Sequence, residues 1–164
     1  MRSKWLWAVL LAVVGVAAYG GNVLATPGVG STSTFVKSTF GEIDLNAHTL
    51  PADTWQARMK TQGLTDVYVV DNKIAVGGTT GWHSHPGPSL ILVVAGAVTN
   101  YTGDDPTCTG HVYTAGEGFI DPGGADVHTL RNEGTVPAET MAVQLIPKDA
   151  PRKIDEDAPG NCSS

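Results

Sequence analysis

Charged residues are scarce in this 164-residue chain, at 16%, and aromatic residues scarcer, at 7%. A composition so short of charge disfavours long solvated helices. Basic residues are outnumbered by acidic ones, 10 against 16, so the chain will not seek nucleic acid phosphates. A full-length membrane span is also missing. The longest apolar run, Trp5 to Ala18, falls short of the roughly 20 residues a spanning helix needs, and Tyr19, Gly20, Gly21 and Asn22 prevent its extension. No cysteine comes after that run until Cys108, which argues against a lipid-modified N-terminus of the bacterial type. Cysteines number two, Cys108 and Cys162.

The apolar run has a different meaning in its setting. Arg2 and Lys4 precede it, and small residues with Val23-Leu24-Ala25 close it before Thr26, the pattern of a secretory signal peptide over residues 1–25. An uncleaved N-terminal anchor is the alternative. Cleavage takes away Arg2 and Lys4 and no acid, leaving 8 basic against 16 acidic residues, scattered as on a soluble exported surface. Export to an oxidising compartment favours a disulfide between Cys108 and Cys162 over two free thiols.

Gly and Pro are plentiful, 20 and 10 residues. They punctuate segments rich in Val, Ile, Thr, Tyr and Phe at 35–45, 66–76, 90–95, 97–101, 111–114, 118–121, 125–131 and 139–146. Short strands at this spacing predict an all-β antiparallel sandwich or barrel in one domain, residues 35–147. The Gly, Ser, Thr and Pro of residues 26–34 read as a flexible linker, and residues 148–164 as a loop-like tail tethered through Cys162. One weak helix is predicted over 52–62, capped at Asp53 and ended by Gly63.

The most informative stretch is Gly77-Gly78-Thr79-Thr80-Gly81-Trp82-His83-Ser84-His85. Extended chain puts His83 and His85 on one face, where two neutral imidazoles can share one ion. Alone, such a pair equally describes a solvent-facing couple or histidines bonded to backbone carbonyls. A third histidine, His128, comes after the turn Pro122-Gly123-Gly124. Barrel interiors bring inward residues of distant strands together, so His128 can meet His83 and His85. Trp82 alternates away from His83 and reads as packing, His48 and His111 as surface or turn residues, and Asn132 with Glu133 as a hairpin turn before Gly134.

Both stretches resemble the two motifs of the cupin family. In the first, Gly77, His83, His85 and Gly96 fall in register; in the second, Gly116, Pro122, Gly124, His128 and Asn132 do, with one extra residue before His128. The resemblance covers residues 66–147 and implies a double-stranded β-helix, a jelly roll, with His83, His85 and His128 around one divalent metal at the barrel mouth. It also implies an edge-paired homodimer, as is frequent in that family. Where the family places a glutamate ligand, this chain has Ser89. A neutral hydroxyl is a poor ligand for a divalent ion, so three imidazoles would remain, at a net charge of about +2.

Such a site favours an anionic or chelating oxygen donor and is similar to the three-histidine centres of thiol and diketone-cleaving dioxygenases of the same superfamily. Iron is the expected metal, with Zn, Mn, Ni or Cu as alternatives. The functions this leaves open are a metal-dependent dioxygenase acting on a small organic substrate, a Lewis-acid variant with Zn or Mn, and a non-catalytic barrel that holds a small ligand or the metal itself. Strand alternation puts Asp126 on the face of His128, where it would orient a histidine or replace the missing carboxylate, unless the extra residue places it in the turn. Gln144 reaches the cavity in one register of the last strand, while Met141, Val143 and Leu145 favour the other.

Overall fold

More and less buried residues alternate along 89–93 and 138–144, the two-residue period of a strand with one face turned inward. The computed structural model describes residues 28–51 and 54–162. Its strands are β1 (Val29–Phe40), β2 (Asp44–His48), β3 (Gln56–Lys60), β4 (Thr65–Thr79), β5 (His83–Ser84), β6 (Ser89–Ala95), β7 (Ala97–Thr102), β8 (His111–Thr114), β9 (Gly118–Asp121), β10 (His128–Arg131), β11 (Ala138–Pro147) and β12 (Ile154–Asp155). Among the described residues there is no helix. All strands but β2 and β3 join one antiparallel sheet in the order β12-β5-β10-β4-β11-β6-β9, with β1 on β4 and the β7–β8 pair on β10. The fold is the expected all-β double-stranded β-helix.

Facing strands bury matched rows. Val70 on β4 pairs with Ala142 on β11, Ala142 with Ile91 on β6, and Ile91 with Phe119 on β9. Val70, Ala142 and Ile91 form one apolar cluster with Tyr68 and Ile146, and Phe119 packs against it. A second cluster joins Ile74, Val93, Val98, Leu130 and Ala138. At about 25 cal/mol per Å² of apolar surface removed from water, these inward rows are the main favourable term in the fold.

Three expectations change. Residues Val29–Thr34 are strand, because the 15-residue β4 offers an edge with which β1 pairs from Val29 to Phe40; backbone pairing overrides a linker-like composition. The stretch 56–60 is a strand paired with β2, with Arg58 opposite Asn46, so the helix expected over 52–62 is absent there; its cap Asp53 lies outside the described residues. The tail is ordered by more than Cys162: β12 pairs with β5, placing Ile154 opposite Ser84 and Asp155 opposite His83. Cys108 and Cys162 are joined at disulfide distance, their Cα atoms 5.4 Å apart. The signal peptide expected over 1–25 lies outside the described residues, and among those described no helix is long and apolar enough to cross a membrane.

Candidate metal centre

Strand pairing brings the histidines together. His83 on β5 stands directly opposite His128 on β10, and His85 lies two residues after His83. Ring centroids are 4.4 Å apart for His83 and His128, 4.8 Å for His83 and His85, and 5.4 Å for His85 and His128. One ring nitrogen from each lies within 4.8 Å of the others, a set that could hold a metal ion. All three side chains are buried.

Backbone carbonyls fix two of the tautomers. His83 Nδ1–H donates to the Gly81 carbonyl at 2.8 Å, and His85 Nδ1–H to the Arg152 carbonyl at 2.6 Å. A carbonyl can only accept, so each ring carries its proton on Nδ1 and leaves the Nε2 lone pair free. Burial disfavours the charged ring and drives the His83 pKa well below the ordinary histidine value, with His128 and His85 adding repulsion. Burial likewise lowers His85, and pushes His128 down to about 4 against an opposing pull from Asp121. Neutral imidazoles are the form that ligates.

The polar row beside the histidines crosses four strands. Tyr68 pairs with Gln144, Gln144 with Ser89, and Ser89 with Asp121. Ser89 and Gln144 are buried, and Gln144 Nε2 donates to Ser89 Oγ at 3.1 Å while lying 3.4 Å from both ring nitrogens of His85. Gln144 thus takes the cavity-facing register. Asp126 lies in the loop between β9 and β10, half-buried, with an oxygen near both Asp121 and His128. It borders a separate surface cavity with Gly103, Asp104 and Pro159. Burial, with Asp121 and Asp104 nearby, raises its pKa.

Above the histidines is a cavity of about 240 Å³, bordered by Ser31 and Ser33 of β1, Asn72 of β4, Gln144, Arg152 and Lys153. Arg152 donates from Nη1 to Gln144 Oε1 at 3.2 Å and sits over the Phe35 ring. The tail is held in place by Ser84 Oγ donating to Glu156 Oε1 at 2.7 Å and Glu156 N–H donating to the Trp82 carbonyl at 2.9 Å. Trp82 is buried packing, His48 and His111 are exposed, and Asn132 is a buried brace that donates to the Ile74 and Val136 carbonyls.

Sequence reasoning missed Asp121, Arg152 and Lys153. Asp121 had a readable signal, since an inward Phe119 on the same short strand implies an inward Asp121. Arg152 and Lys153 had none, because they reach the cavity through a tail of loop-like composition.

Comparison with known proteins agrees with this architecture. Residues 72–144 match the family model described as cupin domain. Among solved structures, Peruvianin-I, a cysteine peptidase from Thevetia peruviana latex, is similar at 23% identity and a TM-score of 0.50, over 79% of this chain and 68% of that one. A conserved double-stranded β-helix protein from Klebsiella pneumoniae is similar at 19% identity and a TM-score of 0.46, over 71% of this chain and 86% of that one. An oxalate oxidase is similar at 24% identity and a TM-score of 0.43, over 57% of this chain; the chain spans 44% of that protein's length. At these identities the likeness concerns the fold alone. No curated protein matches the chain.

Proposed function

The chain carries a cupin domain, and from that premise we propose that it is an exported protein holding one divalent metal, iron foremost, with His83, His85 and His128, and acting as a dioxygenase on a small anionic organic substrate. One observation carries the reading: three buried histidines, two of them with Nε2 lone pairs freed by backbone carbonyls, converge beneath a small cavity. A divalent ion bound there would supply Lewis acidity and, as iron, the means to activate O₂. Zn, Mn, Ni and Cu suit the same donors.

The chain's own groups define what enters. Arg152 and Lys153 border the cavity and favour a negatively charged group, with Arg152 oriented by Gln144. The cavity of about 240 Å³ limits the substrate to a small molecule. Export is supported by the run from Trp5 to Ala18 and by the Cys108–Cys162 pair, which fits an oxidising compartment. A homodimer is supported by an apolar row across the outer face of five strands, Val36, Val69, Val143, Leu90 and Ile120, each paired with the next and all exposed but the half-buried Val143.

A non-catalytic barrel that only holds a small ligand is favoured by a single residue, Ser89 at the position of the family's glutamate. Elemental analysis of the purified full chain, with O₂ uptake on a panel of small carboxylic acids, separates the two. Stoichiometric iron and substrate-dependent uptake, both lost in His83→Ala, are expected. Metal-free protein with an unchanged fold would overturn the metal reading, and bound metal without uptake would leave the binding barrel.

A further inference from the structure

Beside the three histidines lies a carboxylate that a three-histidine centre leaves idle. Asp121 is 2% exposed and ends β9 directly opposite Ser89. Its Oδ1 accepts from the Gly123 N–H at 2.9 Å and lies 3.7 Å from His128 Nδ1. Its Oδ2 has no hydrogen-bond partner and lies 3.8 Å from His85 Nε2, the nitrogen whose lone pair is free. A buried carboxylate oxygen without a partner costs several kcal/mol unless something positive meets it. Among the described residues nothing donates to it.

We propose, on the basis of the metal-binding reading above, that Asp121 is the fourth protein ligand of the centre, so that the carboxylate absent at position 89 is supplied from the neighbouring strand. Two donors on one ion stand about 3.4 Å apart in a tetrahedral arrangement, so Oδ2 and His85 Nε2 need to close by a few tenths of an ångström. Asp121 lies outside the 4.8 Å grouping of the three histidines, so reaching an ion held by all of them also takes a turn of its carboxylate toward His83. Position matters equally: cross-strand partners have Cβ atoms about 5 Å apart on one face, so a donor at 121 serves the same space as a donor at 89.

The two positions also constrain each other. A glutamate at 89 beside Asp121 would bury two like charges face to face, which is destabilising. Ser89 avoids this and instead accepts a hydrogen bond from Gln144. The approach of the β9–β10 turn needs Gly123, whose φ is +73° and where a Cβ would lie 2.3 Å from the Gly87 carbonyl oxygen. That contact presses the turn against the loop after His85. With Asp121 bound, the net charge of the centre becomes about +1, which leaves anion attraction to Arg152 and Lys153 as well as to the ion.

Co(II) titration of the full chain, read by affinity and by the visible ligand-field spectrum, tests the assignment. Wild type should take one Co(II) per chain; Asp121→Asn should bind at least tenfold more weakly with an altered spectrum, Asp44→Asn, at an exposed acid of β2 paired with Lys60, should behave as wild type, and His83→Ala should not bind. Equal affinity and spectrum in wild type and Asp121→Asn would overturn the role of Asp121 while leaving the three-histidine reading intact. Weaker binding with an unchanged spectrum would make Asp121 a positioning residue for His128 and overturn direct ligation. Wild type without Co(II) would overturn both readings. Should Asp121→Asn fail to fold, the crystal structure of Co(II)-loaded wild type decides: an Asp121 oxygen within about 2.2 Å of the ion supports the assignment, and one beyond about 3 Å overturns it.

Discussion

Two neighbouring rows cross the inside of the barrel on the same four strands, and they have opposite character. Gln144, Ser89 and Asp121, with Tyr68 at the end shared with the apolar cluster, make one; Val70, Ala142, Ile91 and Phe119, two residues away on each strand, make the other. The backbone pairing is continuous through both. What differs is the environment each side chain asks for. The apolar row gains from leaving water, whereas the polar row is buried against its own preference and is held by the pairing its neighbour stabilises. The difference teaches that the site is positioned by core packing and does not itself stabilise the fold.

The strongest way to break this comparison is to damage each row separately. Ile146→Ala removes a fully buried side chain of the apolar cluster and should cost about 2–5 kcal/mol of unfolding free energy. The molecules that remain folded should still bind Co(II) as wild type does. His128→Ala should abolish Co(II) binding, yet cost clearly less stability in the presence of chelator, because the ring removed is a desolvated polar group. Chemical denaturation paired with metal titration reads both quantities. If His128→Ala were as destabilising as Ile146→Ala, the site row would have to count as core.

A second strike falls on the tail, where mouth and scaffold meet. The disulfide closes a separation of 54 residues, and chain-entropy arithmetic gives it about 4 kcal/mol at most. Cys162→Ser should lower the melting temperature accordingly. It should also weaken metal binding about tenfold, since the tail supplies the Arg152 carbonyl that fixes the His85 tautomer. A lower melting temperature with unchanged affinity would show that β12 and Glu156 hold the tail without the disulfide.

The rows also differ in how far the sequence revealed them. The histidines, Ser89 and the barrel were legible because spacing and period survive any detail of packing. Gln144 was readable from alternation, although Met141, Val143 and Leu145 spoke for the other register; Thr140 and Ala142 facing inward on β11 resolve the choice. Asp121 was hidden by the Pro and two glycines after it, which mark a turn and draw attention from the strand end. Val29–Thr34 and the tail were hidden more deeply. Their order comes from an open β4 edge and from backbone carbonyls, neither of which side-chain composition encodes.

The gentlest test leaves the sequence intact and changes the pH in the presence of chelator. An unfolded histidine binds a proton near 6.5, whereas His128 in the fold refuses one until about 4, because burial disfavours the charged ring more than Asp121 favours it. His83 and His85 are shifted in the same direction. As pH falls below 6.5 the unfolded chain therefore binds protons that the native state does not, and stability must drop with pH. The contribution is fully present above about 6.5 and is lost as pH falls through about 4. The apolar row has nothing to titrate, so the slope belongs to the mouth. Urea midpoints at about pH 7.5, 6 and 5 should fall in that order for wild type and fall less steeply for His83→Ala; parallel lines would place the sensitivity elsewhere in the molecule.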